Sequence, residues 1–270
     1  MTSADAGLPA AIGAPATRAL ISAGYTELRQ LSGVPVSELR KLHGVGPKAL
    51  RLLQEALERQ GLSLGLGPAR DLTTTPEWDA VYTGAEPAPW DIGRPQPAFV
   101  RLADGGLLTG QVLDAGCGSG ENTLLAASRG AQAIGIDVSP TAIERARAKA
   151  ADRGITARFE VADALSLDQL GLTFDTVIDS GLFHVFNDDD RARYVTSLAS
   201  VLRPGGSCYL MCFSDRQPGT FGPRRVSQDE LRTAFSDGWT VVSITADAFE
   251  VNRGFGATAA QAWLATMHRT

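Results

Sequence analysis

A glycine-rich turn between an apolar segment and a helical segment constrains the fold most strongly. Residues 111–115 are apolar and suit a β-strand, Gly116, Gly118 and Gly120 follow, and residues 121–129 have a helical pattern. Glycine at these positions lets the backbone approach a ligand more closely than any side chain would permit. The sequence therefore predicts a strand–turn–helix unit whose turn binds a ligand.

The residues around this turn restrict what it binds. A dinucleotide-binding turn of this length requires glycine at positions 116, 118 and 121, but residue 121 is Glu. No Lys-Ser or Lys-Thr pair follows the glycines, as a phosphate-binding P-loop requires. These departures disfavour both a nicotinamide site and a P-loop.

Strand-like and helical segments alternate from residue 109 onward. A helix is predicted at 140–151, and further strands are predicted at 131–136, 158–161, 176–179, 207–213, 240–246 and 260–267. This alternation predicts an α/β fold, with a doubly wound, mostly parallel sheet of seven strands covered by helices. Between the last two strands only a loop around 254–256 is expected, so that pair is predicted to be antiparallel.

The beginning of the chain has a different pattern. Residues 1–63 contain only short helical segments, at 16–23, 37–43 and 47–59. Gly13-Ala14-Pro15 recurs 32 residues later as Val45-Gly46-Pro47, which is typical of a duplicated helix–turn–helix unit. We expect a small all-α domain at 1–63, a glycine-rich linker at 64–71 and a larger domain at 72–270.

Residues 42–50 of the small domain resemble a helix-hairpin-helix motif, and the domain is similar in pattern to the C-terminal domain of the RNA polymerase alpha subunit. In such motifs the turn brings backbone N–H groups to a DNA phosphate. Residues 1–63 have seven basic and five acidic residues, a net charge of +2. That charge is low for duplex binding, so a structural or protein-contact module is favoured, and weak DNA contact stays an alternative.

Charge and cysteine content bear on the compartment. The 270 residues have a net charge of −5, so the whole chain is not a polycation for nucleic acid. Three cysteines are an odd, sparse set that argues for a reducing environment. No apolar run reaches the roughly 18 residues that span a bilayer, and the N-terminus has no signal-peptide pattern. We expect a cytoplasmic protein without membrane contact.

The pattern Asp-x-Gly-x-Gly-x-Gly, which begins at Asp114, resembles the cofactor turn of class I S-adenosylmethionine-dependent methyltransferases. The resemblance covers residues 109–268 and implies a Rossmann-like fold, S-adenosylmethionine as the cofactor and methyl transfer as the activity. It also implies the cofactor-binding residues Trp78, Asp114, Gly116, Cys117, Gly118, Gly120, Asp137, Val138, Asp163, Ala164 and Ser180.

Three acidic or polar residues at strand ends have distinct implied roles. Asp137 ends the second strand about 20 residues after the turn, where an acid can accept both ribose hydroxyls in related folds. By resemblance, Asp163 takes the adenine amino group, and Ser180 lies at the end of the fourth strand, which faces the methyl group.

Residues 78–82 and 89–94 resemble the N-terminal lid of the thiopurine and thiol/halide methyltransferase group. The resemblance implies an aromatic lid at 72–108 over a catalytic core at 109–270, and a small thiol, thiopurine-like or phenolic acceptor. It implies the substrate-binding residues Trp90 and Arg191. Phe183 is a third candidate, because it lies just past the fourth strand, where the acceptor is expected. The alternative for Trp78 and Trp90 is a hydrophobic strap that seals the edge of the sheet.

His184 and Asp91 are the candidate catalytic bases. His184 follows the fourth strand, where the acceptor is expected, and a histidine there could take a proton from a thiol or phenol. The alternative is a hydrogen-bonded histidine that shapes the pocket. No metal is expected, because the acidic run at 187–190 is typical of a helix N-terminus.

Two other functions stay open at this stage. A nucleic-acid methyltransferase is favoured by the helix-hairpin-helix resemblance, but residues 179–182 lack the Asn/Asp-Pro-Pro-aromatic loop of enzymes that methylate a flipped base. A regulator that only senses the cofactor is the other alternative, and it would bind the cofactor without turnover.

Overall fold

The computed structural model describes residues 7–32, 34, 39, 41–60, 62, 64, 75–84, 87–219, 222–252 and 259–270. The chain divides into two compact units, Met1–Asp71 with Pro218–Arg224 and Leu72–Gln217 with Arg225–Thr270. Parts of the predicted helix at 37–43, the predicted linker at 64–71 and the predicted loop at 254–256 lie outside the described residues.

The first unit consists of short helices around a small apolar core. Helix α1 spans Ala14–Ser22 and helix α2 spans Pro47–Glu58, and short 3-10 helices lie at Ala10–Ile12 and Leu28–Leu31. The leucines at positions 20, 31, 53 and 57 are fully buried among these elements. The unit therefore has a hydrophobic core of its own.

Helices α1 and α2 begin in the same way. Gly13 and Gly46 are their N-cap residues, and each helix has a proline in its first turn, where the missing N–H costs no hydrogen bond. Gly44, two residues before the α2 cap, has a φ of +103°, and a Cβ there would lie 3.0 Å from the carbonyl oxygen of Pro15. The described residues agree with an internal repeat, while the helix-hairpin-helix assignment stays a prediction.

The second unit is built on one seven-stranded sheet with the order β3-β2-β1-β4-β5-β7-β6. Strand β7 is antiparallel to both of its neighbours, and the other neighbouring pairs are parallel. The strands are β1 Gln111–Ala115, β2 Gln132–Asp137, β3 Arg158–Val161, β4 Phe174–Ser180, β5 Leu202–Phe213, β6 Trp239–Glu250 and β7 Ala259–Arg269. The predicted α/β fold, with a mostly parallel sheet and a final antiparallel pair, is confirmed.

The described helices of this unit are α3 Thr75–Thr83, α4 Pro97–Asp104, α5 Glu121–Ser128, α6 Pro140–Arg153, α7 Asp188–Val201 and α8 Gln228–Ala234. The side chains of Ser139, Asn187 and Ser227 cap three of them by accepting from a backbone N–H three residues later. The predicted role of the acidic run at 187–190 as a helix N-terminus is thus confirmed. Within the described ranges, no helix is long and apolar enough to cross a membrane.

Alternate residues of the strands face two different cores. In β5, Cys208, Leu210 and Cys212 pack into one apolar cluster, whereas Tyr209, Met211 and Phe213 pack into the other. This period of two is the one expected of a strand that is buried on both faces. Cys208 and Cys212 are fully buried and are therefore packing residues of the core.

Gly44→Ala is expected to destabilise the first unit. Alanine is strained at a positive φ, and its Cβ would press on the Pro15 carbonyl, so we expect a cost of about 1–3 kcal/mol. Hydrogen exchange measured by mass spectrometry should show about 5-fold or greater loss of amide protection in α2, with protection in β4 unchanged.

Gly46→Ala is the matched control for this variant. Gly46 has a φ of −94°, and a Cβ built there has no other atom within 4 Å. At an N-cap, alanine is less favourable than glycine by up to about 1 kcal/mol, so the loss of protection in α2 should be smaller than in Gly44→Ala. Equal losses of protection in the two variants would contradict the packing described for Gly44.

Candidate cofactor and acceptor site

A cleft opens where the strand order reverses. Strands β2 and β3 lie on one side of β1, and β4 lies on the other. In doubly wound sheets ligands bind beyond the carboxyl ends of the strands at this point. Several predicted site residues line the cleft there, namely Gly116, Cys117 and Gly118 after β1, Ser180 at the end of β4, and Trp90 and Asp91 from the lid segment.

The turn after β1 fits tightly against its surroundings. Gly116, Gly118 and Gly120 have φ values of +71°, +52° and +89°, which are strained for other residues. A Cβ on Gly118 would lie 2.6 Å from the hydroxyl oxygen of Tyr82, and one on Gly120 would lie 2.8 Å from Ala146. Glycine is therefore required for packing as well as for backbone geometry, and the turn leaves its backbone open to the cleft.

Asp137 lies beside this turn at the end of β2. Its Oδ2 accepts a hydrogen bond from the backbone N–H of Gly118 over 2.9 Å, and its Oδ1 accepts from that of Ser139 over 2.9 Å. Burial raises the pKa of the carboxyl group, although these two hydrogen bonds oppose the shift. Backbone N–H groups thus fix the Asp137 carboxylate beside the glycine turn. Val138 lies in the chain between Asp137 and Ser139.

Asp114, the first residue of the glycine pattern, is buried at the base of the turn. Its Oδ2 accepts from the hydroxyl of Thr123 over 2.6 Å. Its Oδ1 is buried and has no hydrogen-bond partner among the described residues. Burial raises the pKa of this carboxyl group to about 7. A buried carboxyl oxygen without a partner is rare in folded proteins and points to a polar group that is absent from the structure.

Asp163 and Ala164 follow β3, the neighbour of β2. Asp163 is exposed, and its carboxylate caps the 3-10 helix Ala164–Leu170 by accepting from the backbone N–H of Leu165 over 2.9 Å. Ala164 is buried. The two residues lie on the same side of β1 as Asp137, but they do not line the cleft that contains the glycine turn.

Three aromatic rings of the lid segment form one cluster. The indole N–H of Trp90 donates to the hydroxyl of Tyr82 over 3.0 Å. Trp78 packs edge-to-face on Trp90 with ring centroids 5.7 Å apart. Tyr82 is buried and its hydroxyl touches Gly118. The cluster therefore joins the lid segment to the turn after β1, with Trp78 on its half-buried outer side.

Asp79 attaches the same lid helix, α3, to the start of α6. Its Oδ1 accepts from the hydroxyl of Ser139 over 2.6 Å and from the backbone N–H of Thr141 over 3.0 Å. These hydrogen bonds lower the pKa of Asp79. Because Ser139 also donates its N–H to Asp137, helix α3 is bound to the same residue that holds the Asp137 carboxylate.

The rest of the lid segment is fastened to the end of β6. The side chain of Gln96 forms two hydrogen bonds of 2.9 Å with the backbone N–H and carbonyl of Glu250. The side-chain amide of Asn252 donates to the carbonyl oxygens of Ala88 and Asp91 over 2.7 and 2.8 Å. These bonds hold residues 88–96 across the cleft.

His184 lies past the end of β4 and is buried. Its Nδ1 accepts a hydrogen bond from the backbone N–H of Phe213 over 2.9 Å, so the proton of the neutral ring is on Nε2. Burial, reinforced by Arg191 and Arg225, lowers the pKa of His184 to about 3. A neutral ring whose Nδ1 lone pair is already bound to a backbone N–H disfavours the predicted base role and favours the alternative of a hydrogen-bonded histidine.

Phe183 and Arg191 are placed away from the cleft. Phe183 is fully buried in the core, with its ring centroid 5.9 Å from that of Phe235. Arg191 is also buried, donates to the carbonyl oxygen of Phe183 and lies over its ring at 4.8 Å. Their positions do not support the predicted substrate contacts, because side chains that are packed in the core cannot meet a ligand.

Asp91, the second candidate base, does line the cleft. Its Oδ1 lies 3.8 Å from the ammonium nitrogen of Lys149. That ammonium also donates to the hydroxyl of Ser119 and to the carboxylate of Glu121, over 2.7 and 2.8 Å. The Asp91 carboxylate therefore belongs to a charged group at one side of the cleft.

The described part of the chain holds no group of three His, Cys, Asp or Glu side chains that could bind a metal ion. The carboxylates near the turn accept hydrogen bonds from the protein itself.

Asp179, at the end of β4, is another buried carboxylate of this kind. It accepts from the backbone N–H groups of Leu182 and Phe183 and from the hydroxyl of Tyr194. Burial raises its pKa to about 7.

Comparison with known proteins decides the family. Residues 112–206 match the family model described as a methyltransferase domain. The 2-heptyl-1-hydroxyquinolin-4(1H)-one methyltransferase of Mycobacteroides abscessus is 38% identical over 177 residues, which are 62% of this chain and 78% of that relative. The chain belongs to the S-adenosylmethionine-dependent methyltransferases.

Two further similarities place this methyltransferase among its relatives. Probable thiol methyltransferase 2 of Arabidopsis thaliana is 26% identical over 226 residues, 79% of this chain and 100% of that relative. A solved structure from work on the conversion of a disulfide bond into a thioacetal group during echinomycin biosynthesis is 42% identical, with a TM-score of 0.66, and the match covers 73% of this chain and 93% of that one.

The cleft of the methyltransferase fits its cofactor on three structural grounds. The backbone of Gly116 and Gly118 lines the cleft, the Asp137 carboxylate is fixed beside this turn, and a buried oxygen of Asp114 has no partner among the described residues. Such a site suits a polar molecule that approaches the backbone closely.

Sequence reasoning did not single out several residues of the cleft. Tyr82, Gln96 and Phe249 all line it. Tyr82 lies one helical turn after Trp78, a spacing that places both on one face of α3, and this was an available signal. Gln96 and Phe249 come to the same cleft only because the lid segment is hydrogen-bonded to the end of β6. No local sequence pattern predicts a contact between such distant parts of the chain.

Asp137→Ala is expected to weaken S-adenosylhomocysteine binding by about 100-fold or more, since the ribose hydroxyls would lose their hydrogen bonds to a charged acceptor. Calorimetric titration measures the affinity. Removal of the carboxylate also frees the N–H groups of Gly118 and Ser139, so the unfolding temperature of the variant must be recorded. Asp168→Ala, an exposed carboxylate of the 3-10 helix, is the control and should bind as the wild type does.

A deoxyribose analogue of the ligand separates the ribose contact from damage to the turn. Wild-type protein should prefer S-adenosylhomocysteine over its 2′-deoxy form by about 10-fold, and Asp137→Ala should lose that preference, as in a double-mutant cycle. A preference that survives the substitution would contradict the assignment of Asp137.

Proposed function

We propose that this methyltransferase transfers the methyl group of S-adenosylmethionine to a small, weakly acidic acceptor, such as a thiol, a phenol or an N-hydroxy heterocycle. The observation that carries this proposal is the lid segment: its aromatic cluster lies beside the cleft, and its residues 88–96 are held across the cleft. Hydrogen bonds of the Gln96 and Asn252 side chains hold residues 88–96 in place. A cleft spanned in this way suits a small molecule and excludes water.

The cofactor supplies a methyl group that its sulfonium charge already activates. We assign its ribose hydroxyls to Asp137, its adenine amino group to Asp163, and its close approach to the backbone of Gly116–Gly120. Trp78 and Tyr82 support the site from the lid, since an aromatic face attracts a cation. The protein's own task is then to orient the acceptor beside Ser180 and to keep water out.

The relatives support a weakly acidic acceptor. One carries the name of a hydroxyquinolone methyltransferase, and another that of a probable thiol methyltransferase. Both compounds have a heteroatom–hydrogen bond that ionises more readily than that of an alcohol. The rings of Tyr82, Trp90 and Phe249 line the cleft and suit an acceptor with an apolar or aromatic body.

The charge of the chain disfavours a nucleic acid as the acceptor. Residues 64–270 contain 18 basic and 25 acidic residues, the opposite of the balance that phosphate contacts require. Contact of residues 1–63 with DNA or with a protein stays a prediction about that unit, and it does not bear on the acceptor in the cleft.

A screen with methyl-labelled S-adenosylmethionine tests the proposal. The panel contains 1-hydroxyquinolin-4(1H)-one, thiophenol, phenol, iodide, and single- and double-stranded DNA, and mass spectrometry identifies the product. We expect label in one or more of the small acids. Label only in DNA would favour the nucleic-acid alternative, and cofactor binding without any labelled product would favour a cofactor sensor.

A further inference from the structure

The unused nitrogen of His184 points toward the end of β4. A Cβ built on Gly181 would lie 3.3 Å from His184 Nε2 and 3.1 Å from the ring of Phe249. Gly181 directly follows Ser180, and both Ser180 and Phe249 line the cleft. Among the described residues, no group accepts a hydrogen bond from Nε2. An N–H donor therefore lies beside Gly181, next to two residues that line the cleft, at a point where residue 181 contributes no side chain.

The groups around this ring are aromatic or positively charged. The ring centroids of Phe213 and Phe249 lie 4.9 and 6.2 Å from that of His184. The guanidinium of Arg225 lies 5.5 Å from the Phe213 ring, and Arg225 and Arg191 are the charges that act on His184. A positive surrounding stabilises an anion and opposes protonation of the ring. This is the opposite of the carboxylate-supported histidine that acts as a base.

We propose that the Nε2–H of His184 donates a hydrogen bond to the ionised heteroatom of the acceptor, so that the site binds weakly acidic small molecules as anions. The inference rests on the proposed function and adds a criterion for which acceptors bind, namely that they bind as anions. His184 is then a binding residue for the acceptor, and its hydrogen bond to Phe213 is what aims the donor.

An acceptor that binds as an anion needs no base during transfer. Its lone pair forms the bond to the methyl carbon, the carbon–sulfur bond breaks, and the released electron pair stays on sulfur, which becomes neutral. The acceptor has already lost its proton to solvent. Because a hydrogen bond is stronger to the free anion than to one that is losing its charge, His184 should affect acceptor affinity and ionisation more than kcat.

The ionisation of 4-nitrophenol tests this inference without turnover, because its anion absorbs visible light. The phenol is titrated against pH when bound to the full-length protein loaded with S-adenosylhomocysteine. We expect the pKa of the bound phenol to be lower than that of the free phenol by about 1–2 units. His184→Asn should abolish most of that shift and weaken binding of the phenolate by about 10- to 100-fold.

Two substitutions separate the donor from a structural role. The amide oxygen of His184→Asn can take the place of Nδ1 and accept from Phe213, but no donor remains at the position of Nε2. His184→Gln places an amide N–H near Nε2 and loses the bond to Phe213. A donor role predicts damage in the Asn variant and partial rescue in the Gln variant, whereas a structural role predicts the reverse. Affinity for S-adenosylhomocysteine should stay constant in both.

Kinetics with an acceptor from the screen give a second readout. In His184→Asn, KM for the acceptor should rise while kcat at saturation and high pH stays within about 3-fold, whereas loss of a general base would lower kcat by about 100-fold or more. Binding of the neutral phenol, or an Asn variant equal to wild type, would overturn this inference alone. Absence of both phenol binding and methylation of any small acid would overturn the proposed function as well.

Discussion

The backbone after β1 passes so close to its neighbours that side chains are excluded at three positions. Tyr82 approaches the turn at Gly118, Ala146 approaches it at Gly120, and Leu182 approaches it at Gly116. These contacts come from the lid helix, from α6 and from the segment after β4. The turn therefore packs directly against the elements that surround the cleft. Gly116 and Gly118 also line the cleft, so their backbone is accessible to a cofactor.

Hydrogen bonds to two carboxylates connect the turn to the lid helix. Asp137 is held by Gly118 and Ser139, and Asp79 of the lid helix is held by Ser139 and Thr141. The lid is therefore attached to the short segment between β2 and α6 that also holds the Asp137 carboxylate.

Local patterns in the sequence were sufficient for the sheet. The strand–turn–helix unit at Gly116–Gly120, the helix start at Asn187 and the antiparallel end of the sheet all follow from periodicity and capping rules. The tertiary contacts were beyond such rules. Gln96 pairs with Glu250, a residue 154 positions away, and the proton position on His184 depends on the backbone N–H of Phe213. Phe183 was expected at the substrate because of its position after β4, but its side chain is packed in the hydrophobic core.

An experimental structure of the protein with S-adenosylhomocysteine tests the central claim most directly. The account predicts ribose hydroxyls within hydrogen-bond distance of the Asp137 carboxylate, and a sulfur atom that faces the space between Ser180 and Phe249, on the side of His184 Nε2. A ligand bound elsewhere, or bound with its ribose away from Asp137, would contradict the account.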